Sequence, residues 1–182
     1  EKYKVTIGVQ DDGTVTVAEV TLAHFRLLAR YNRLANQRLY QACGQLSDAE
    51  RKQARPAFFK SIHGTLNHIL VGDRIWLARF RGGAAPSTNL DAILYDDFAA
   101  LWTARQAEDA GIEALAAGLE PGFLAGSISY CNNEGRHLTD PNDLLLAHFF
   151  NHQTHHRGQV HDLLSQTTVP VPVLDMHRVL RP

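Results

Sequence analysis

Apolar positions change period along the chain. In KYKVTIGVQDDGTVTVAE (residues 2–19), Val5, Ile7 and Val9 alternate with other residues, as do Val15 and Val17. That two-residue period belongs to strands, and Asp11-Asp12-Gly13 between the runs is a turn signal, so a β-hairpin is expected over residues 1–20. An isolated hairpin is marginal in water and needs a partner surface. From Thr21 the spacing becomes helical: Leu22, Phe25, Leu28, Leu34 and Leu39 recur at helical intervals, with Thr21 as the cap and Gly44 at the far end.

Three more long helices follow. Ser47 with Glu50 three residues later has the form of a capping box for a short turn that Pro56 ends. A helix over about 60–81 carries Ile62, Leu66, Ile69, Trp76, Leu77 and Phe80 on one stripe, ended by Gly82-Gly83 and Pro86. The next starts at Asp96 or Asp97, carries Phe98, Leu101, Trp102, Ile112 and Leu115 to Gly118, and is stopped by Pro121-Gly122. Ser127–Cys131 and Arg136–Thr139 flank a turn-like Asn132-Asn133-Glu134-Gly135 and predict a short hairpin. The last long helix is expected to take Thr139 or Asp140 as cap, Pro141 in its first turn and Asp143 at its positive end, and to run to Ser165. The proline-bearing tail reads as extended, with a turn near Asp175–Leu180. Four amphipathic segments with modest connections predict a mainly α protein built as a four-helix bundle. The hairpin over 1–20 would be an extension and 21–182 the helical domain.

Composition narrows the function. At 182 residues the chain fits one domain, and 45% hydrophobic residues suit a folded globule. A net charge of −1 gives no counterion-release drive toward a polyanion, so no nucleic acid is expected as a partner. No apolar run has the length of a bilayer span, and the start lacks a basic region followed by an apolar block. These features predict a cytoplasmic protein without a membrane partner. Cys43 and Cys131 show no CxxC spacing and are expected as free, buried thiols.

Histidine stands out. The chain has 10, and His148, His152, His155, His156 and His161 crowd into residues 148–161. On a helix, residues i and i+4 stack on one face, so His152 and His156 can grip one ion. A third ligand must come from elsewhere, and His68, flanked by Leu66, Ile69 and Leu70 on a core-forming helix, is the candidate. Spacing leaves 148/152 as an equivalent pair and His63 as a competitor of His68. Three protein ligands would leave coordination positions open, the pattern of a catalytic rather than a closed structural site. His24, His137, His155, His161 and His177 read as ordinary solvated or hydrogen-bonded residues.

Other chemistries fit less well. Di-iron bundles need Glu-x-x-His on two helices, and Glu134/His137 falls in the expected hairpin. There is no GxGxxG or GxxxxGK[ST], and Ser127 and Ser129 lack a nucleophile-elbow context. Trp76, Phe80, Trp102, Phe149 and Phe150 read as core.

The run DLLLAHFFNHQTHHRGQVHDLL from Asp143 resembles the signature helix of the DinB (damage-inducible) family, which is related to YfiT-like proteins. SIHGTLNHILVGDRIW (61–76) resembles that family's second helix and HFRLLARYNRLANQRL its first. The resemblance covers about residues 21–180 and leaves out the opening hairpin. It implies an up-down-down-up four-helix bundle, often dimeric, with a metal held by His68, His152 and His156. It prefers 152/156 over 148/152, because the second histidine should precede Arg-Gly-Gln directly. It implies zinc, nickel or another divalent ion. Relatives of the fold include transferases and isomerases that work with a low-molecular-weight thiol, so it implies a metal-dependent thiol transferase or hydrolase acting on a small molecule. The alternative is a non-enzymatic DNA-damage or stress-response protein with a structural or sensory metal. Asn67, Asp73 and Gln159 are candidates to orient the ligands. Arg157 could attract an anion but reads first as a surface or interface charge. No residue stands out as a general base.

Overall fold

Thr16, rather than Thr21, starts the first helix. Its hydroxyl accepts from the Glu19 amide while the Glu19 carboxylate takes the Thr16 N–H, a complete capping box. Helix α1 therefore runs Val17–Cys43, and Thr21 lies inside it with its hydroxyl on the Val17 carbonyl. The computed structural model describes residues 7–8 and 14–182, with side chains from Thr16 onward. Within that span a two-residue antiparallel ladder, β1 (Ile7–Gly8) with β2 (Thr14–Val15), lies where the opening hairpin is expected. The remainder of that expectation falls outside the described residues.

Further along come α2 (Asp48–Lys52), α3 (Ile62–Phe80), α4 (Phe98–Ala117), α5 (Pro121–Leu124), β3 (Ser127–Cys131), β4 (His137–Pro141), α6 (Asn142–Ser165) and α7 (Met176–Leu180). Ser47 and Asp97 cap α2 and α4 through their side chains, as their sequence positions predict. Pro121 opens a one-turn helix instead of only ending α4.

The start of α6 differs from expectation for a clear reason. Thr139 and Asp140 are taken by the β3–β4 hairpin: the Thr139 hydroxyl pairs with Ser129 at 2.7 Å, and Tyr130 donates to Asp140 at 2.9 Å. Neither is left to cap. Strand β4 extends through Pro141, which becomes the N-cap with no side-chain bond. The Asn142 amide finds the Gly126 carbonyl instead, so the orphan donor is satisfied by a loop. Asp143 does sit in the first turn.

The four long helices pack in a square: α1 touches α4 and α6, and α3 touches the same two. Two apolar clusters fill the interior. One gathers Leu39, Ile62, Leu66, Leu101 and Leu163; the other gathers Phe25, Leu77, Ile112, Leu146 and Phe149. The first uses the C-terminal parts of α1 and α6 with the N-terminal parts of α3 and α4, and the second uses the opposite halves. The extended tail and α7 lie over α1, where Val179 packs against Tyr31 and Ala35. No helix among the described residues is long and apolar enough to cross a membrane.

Between the clusters lies a buried polar layer with members from all four helices. Arg105 of α4 reaches Asp73 of α3 and, at 2.9 Å, Asp109 one turn further along α4. Asn32 and Asn36 of α1 donate to Asp109 at 3.0 and 2.9 Å. Gln153 of α6 donates to Asp73 at 2.9 Å, and Arg157 of α6 donates to the side-chain Oδ1 of Asn32. Arg105 is 1% exposed and Asp73 0%. Burial pushes the Asp109 carboxyl up to about 6, although Arg105 pulls it down. Removing one member leaves the others desolvated and unpaired. Arg105→Met is expected to lower stability by about 3–5 kcal/mol in urea unfolding. Arg136→Ala, which breaks an exposed pair with Glu134, is expected to change it by about 0.5 kcal/mol or less. Equal losses in the two variants would contradict a structural role for the layer.

Candidate metal centre

Helices α3 and α6 pack directly, and their facing sides carry the histidines. His152 and His156 stack one turn apart on α6, with ring centroids 4.4 Å apart. His68 of α3 meets both, its Nε2 lying 3.2 Å from Nε2 of His152 and 3.1 Å from Nε2 of His156. Among the described residues this is the one group of three metal-ligating side chains whose donor atoms converge, and no carboxylate joins it.

The outward nitrogens decide what the inward ones are. Nδ1 of His68 lies 2.7 Å from the Leu90 carbonyl oxygen. A carbonyl only accepts, so Nδ1 carries the proton and Nε2 presents a lone pair in the neutral ring. Nδ1 of His156 lies 2.8 Å from Oε1 of Gln159, whose amide nitrogen faces His155 at 3.2 Å. The same tautomer follows for His156. Burial holds His68 down to about 4 and His152 down to about 3, the latter helped by the neighbouring histidines. Burial also lowers His156, against the Gln159 contact. All three are therefore neutral near pH 7, the form that ligates metal. Two lone pairs 3.1 Å apart repel unless a cation joins them. Their separation is close to the roughly 3.3 Å edge of a tetrahedral site with metal–nitrogen bonds of about 2.0–2.1 Å. The donor set fits a divalent transition metal.

Two glycines make the close approach possible. Gly64 and Gly72 lie one turn before and one turn after His68 on the same face of α3. A Cβ on Gly72 would come within 2.9 Å of Cε1 of His152. A Cβ on Gly64 would come within 2.2 Å of the Phe59 carbonyl oxygen. The loop carrying Phe59 thus rests on α3 backbone, and Lys60 next to it adopts a left-handed φ of 66°, a strained choice for a residue with a side chain. The result is a lid: the Phe59 ring stacks on His68 at 3.7 Å and meets His156 edge-on at 5.6 Å. His68 is 4% exposed and His156 9%, whereas His152 is less buried.

The alternatives from the sequence fall elsewhere. His63 turns to the Tyr95 carbonyl at 2.9 Å and does not join the group. His148 is exposed, its ring 6.0 Å from His152 and 5.4 Å from Trp76. His155 lies off the shared face, as helical geometry requires, and His161 faces the Pro172 carbonyl. Of the three candidates to orient the histidines only Gln159 touches one of the triad. Asn67 is spent on the Tyr95 backbone, and Asp73 belongs to the polar layer. Arg157 is no surface charge: it is 2% exposed, beneath Tyr31. Cys43 is buried as expected, but Cys131 is exposed, because it ends a hairpin strand whose alternate positions face solvent. Sequence reasoning missed Phe59, the Leu90 carbonyl and both glycines. The regular spacing Gly64, His68, Gly72 was the available signal for the glycines; the loop contacts had none.

Comparison with curated protein sequences gives no match. Among solved structures, the crystal structure of a DinB-like protein from Bacillus cereus is similar with a TM-score of 0.57 and 21% sequence identity, over 76% of this chain and 89% of that one. At that identity the likeness concerns the fold. The family model of the DinB family matches residues 18–182, from the second residue of α1 through the tail. The chain belongs to the DinB family.

Proposed function

We propose that the protein is a divalent-metal enzyme of the thiol-transferase or hydrolase kind, with His68, His152 and His156 as the protein ligands and a small molecule or thiol as its substrate. The observation that carries this reading is the convergence of ring nitrogens whose outward partners, the Leu90 carbonyl and Gln159, leave lone pairs turned inward. Three imidazoles suit zinc or nickel. A divalent ion in an open three-histidine site lowers the pKa of a bound water or thiol, which supplies a nucleophile at neutral pH. The chain's own contribution is orientation and exclusion: Leu90 and Gln159 fix the rings, Gly72 lets His152 approach, and Phe59 keeps water off one side. The apolar clusters, which pair the N-terminal halves of α1 and α6 with the C-terminal halves of α3 and α4, support an up-down-down-up bundle as the frame.

The low exposure of His68 and His156 beneath Phe59 favours a second reading, in which the metal is structural or sensory and there is no chemistry. The two readings differ in what reaches the ion. In the first, thiol added to cobalt-loaded protein produces a thiolate charge-transfer band; in the second, it leaves the spectrum unchanged.

Elemental analysis of protein stripped and reloaded with zinc is expected to give one ion per chain in wild type and in His155→Ala. His68→Ala and His152→Ala should retain almost none. Equal metal in all four would remove the ligand assignment. Gln159→Leu is expected to weaken zinc binding about 10- to 100-fold, because one ring loses its orienting partner. Competition with a chromogenic chelator measures this, and an unchanged affinity would show that the contact does not tune the site. Gly72→Ala should likewise weaken zinc binding, although alanine is the better helix former by about 1 kcal/mol. Unaltered affinity in that variant would mean that His152 has room to move.

A further inference from the structure

Strand β3 pairs with β4 on one side, and on the other it pairs with no strand among the described residues. The alternation of an antiparallel ladder tells which backbone groups the free edge presents. At the two ends of the hairpin, the Asn142 N–H donates to the Gly126 carbonyl and the Asn132 N–H to the Arg136 carbonyl. The even-numbered positions of β3, Ile128 and Tyr130, therefore bond toward β4. The N–H and C=O groups of Ser127, Ser129 and Cys131 point away from it. Strand edges are ordinarily blunted by proline, by charge or by a covering element. The sequence of β3, SISYC, holds neither proline nor charge. Opposite it, across a cleft of about 530 Å³, run residues 82–85, two glycines and two alanines with no side chain beyond Cβ.

Arg79 closes one end of this edge. Its Nη2 donates to the outward Cys131 carbonyl at 3.0 Å, and its guanidinium is held between two rings, 4.6 Å from the Trp76 centroid and 4.4 Å from Tyr130. Its Nε is buried without a partner. No carboxylate among the described residues lies within ion-pair distance of it. A chain that added to β3 along Ser129 would meet this cation at Cys131 and could pair no further. A half-buried guanidinium held by stacking, with a neutral partner only, is suited to receive a carboxylate at that point in a planar fork.

We propose that the free edge of β3 seats the C-terminus of an extended peptide, which runs parallel to β3, pairs with the backbone of Ser129 and places its terminal carboxylate on Arg79. Main-chain bonds supply the pairing, as in other cases of strand addition, and the guanidinium fixes where the peptide ends. Charge complementarity selects this occupant over a second copy of the chain. A second β3 brings no acidic side chain to the edge and would leave Arg79 with neutral partners only. The inference is independent of the histidine group.

The test titrates the full chain, by calorimetry, with acetylated tetrapeptides of alternating valine and threonine that end in either a carboxylate or an amide. The carboxylate form is expected to bind about tenfold or more tightly than its amide twin and to lose that preference in Arg79→Gln. Ser129→Pro removes an outward N–H and no bond of the β3–β4 ladder. It should weaken carboxylate binding about five- to tenfold, whereas Ser129→Ala, which keeps the N–H, should bind like wild type. Equal binding of carboxylate and amide overturns the proposal, as does a preference that survives Arg79→Gln or a proline variant that binds undiminished. Absence of binding at millimolar peptide overturns it as well. Sedimentation judges the second copy: a monomer leaves the edge free, as the proposal requires, and a dimer that Ser129→Pro dissociates overturns it, because the edge then belongs to the chain itself.

Discussion

The pairing of Arg105 with Asp73 and Asp109 is the constraint on which the rest of the molecule depends. A guanidinium and two carboxylates buried together are tolerated only if every partner is in place. The partners come from all four long helices: Asn32 and Asn36 on α1, Asp73 on α3, Arg105 and Asp109 on α4, Gln153 and Arg157 on α6. An apolar core of leucines and phenylalanines would accept several helix rotations at similar energy. A charge layer accepts far fewer, so it selects among packings even where it adds little stability over an apolar replacement.

The histidine group inherits that choice. Gln153 and Arg157 each follow a histidine of that group by one residue. One residue turns a helix by about 100°, so directing Gln153 to Asp73 and Arg157 to Asn32 leaves His152 and His156 facing α3. A rotation of α6 that removed the histidines from His68 would also unpair two buried polar groups. The electrostatic layer and the histidine pair are interleaved on one helix, and the first holds the second in register.

The ease of reading the sequence followed the range of the interactions concerned. Helix identities and the β3–β4 hairpin were legible because periodicity and turn residues act locally. The i,i+4 relation of His152 and His156 was legible for the same reason. The start of α6 was not, because Thr139 and Asp140 have two possible partners and the cross-strand ones won. Arg157 was misread as a surface charge because its compensation, through Asn32 and Asp109, comes from residues 125 and 48 positions away in sequence. His63 and His68 occupy similar apolar surroundings on α3, and spacing left both open. A backbone carbonyl made the distinction: Tyr95 takes His63, and Leu90 orients His68 toward α6. Such acceptors lie on a long connection whose course leaves no trace in side-chain pattern.

Gly64 and Gly72 show how the site accommodates what helix formation disfavours. A glycine inside a helix costs about 0.5–1 kcal/mol relative to alanine, and α3 carries both within one turn of His68. Each cost is offset by a contact no other residue permits: the Phe59 carbonyl against Gly64 and the His152 ring against Gly72. Phe59 then covers His68 from a strained turn at Lys60. Two weak points in the helix and one in the loop thus converge on the neighbouring imidazoles of His68 and His152. That concentration of locally unfavourable choices is what separates a built site from histidines that merely share a helix face.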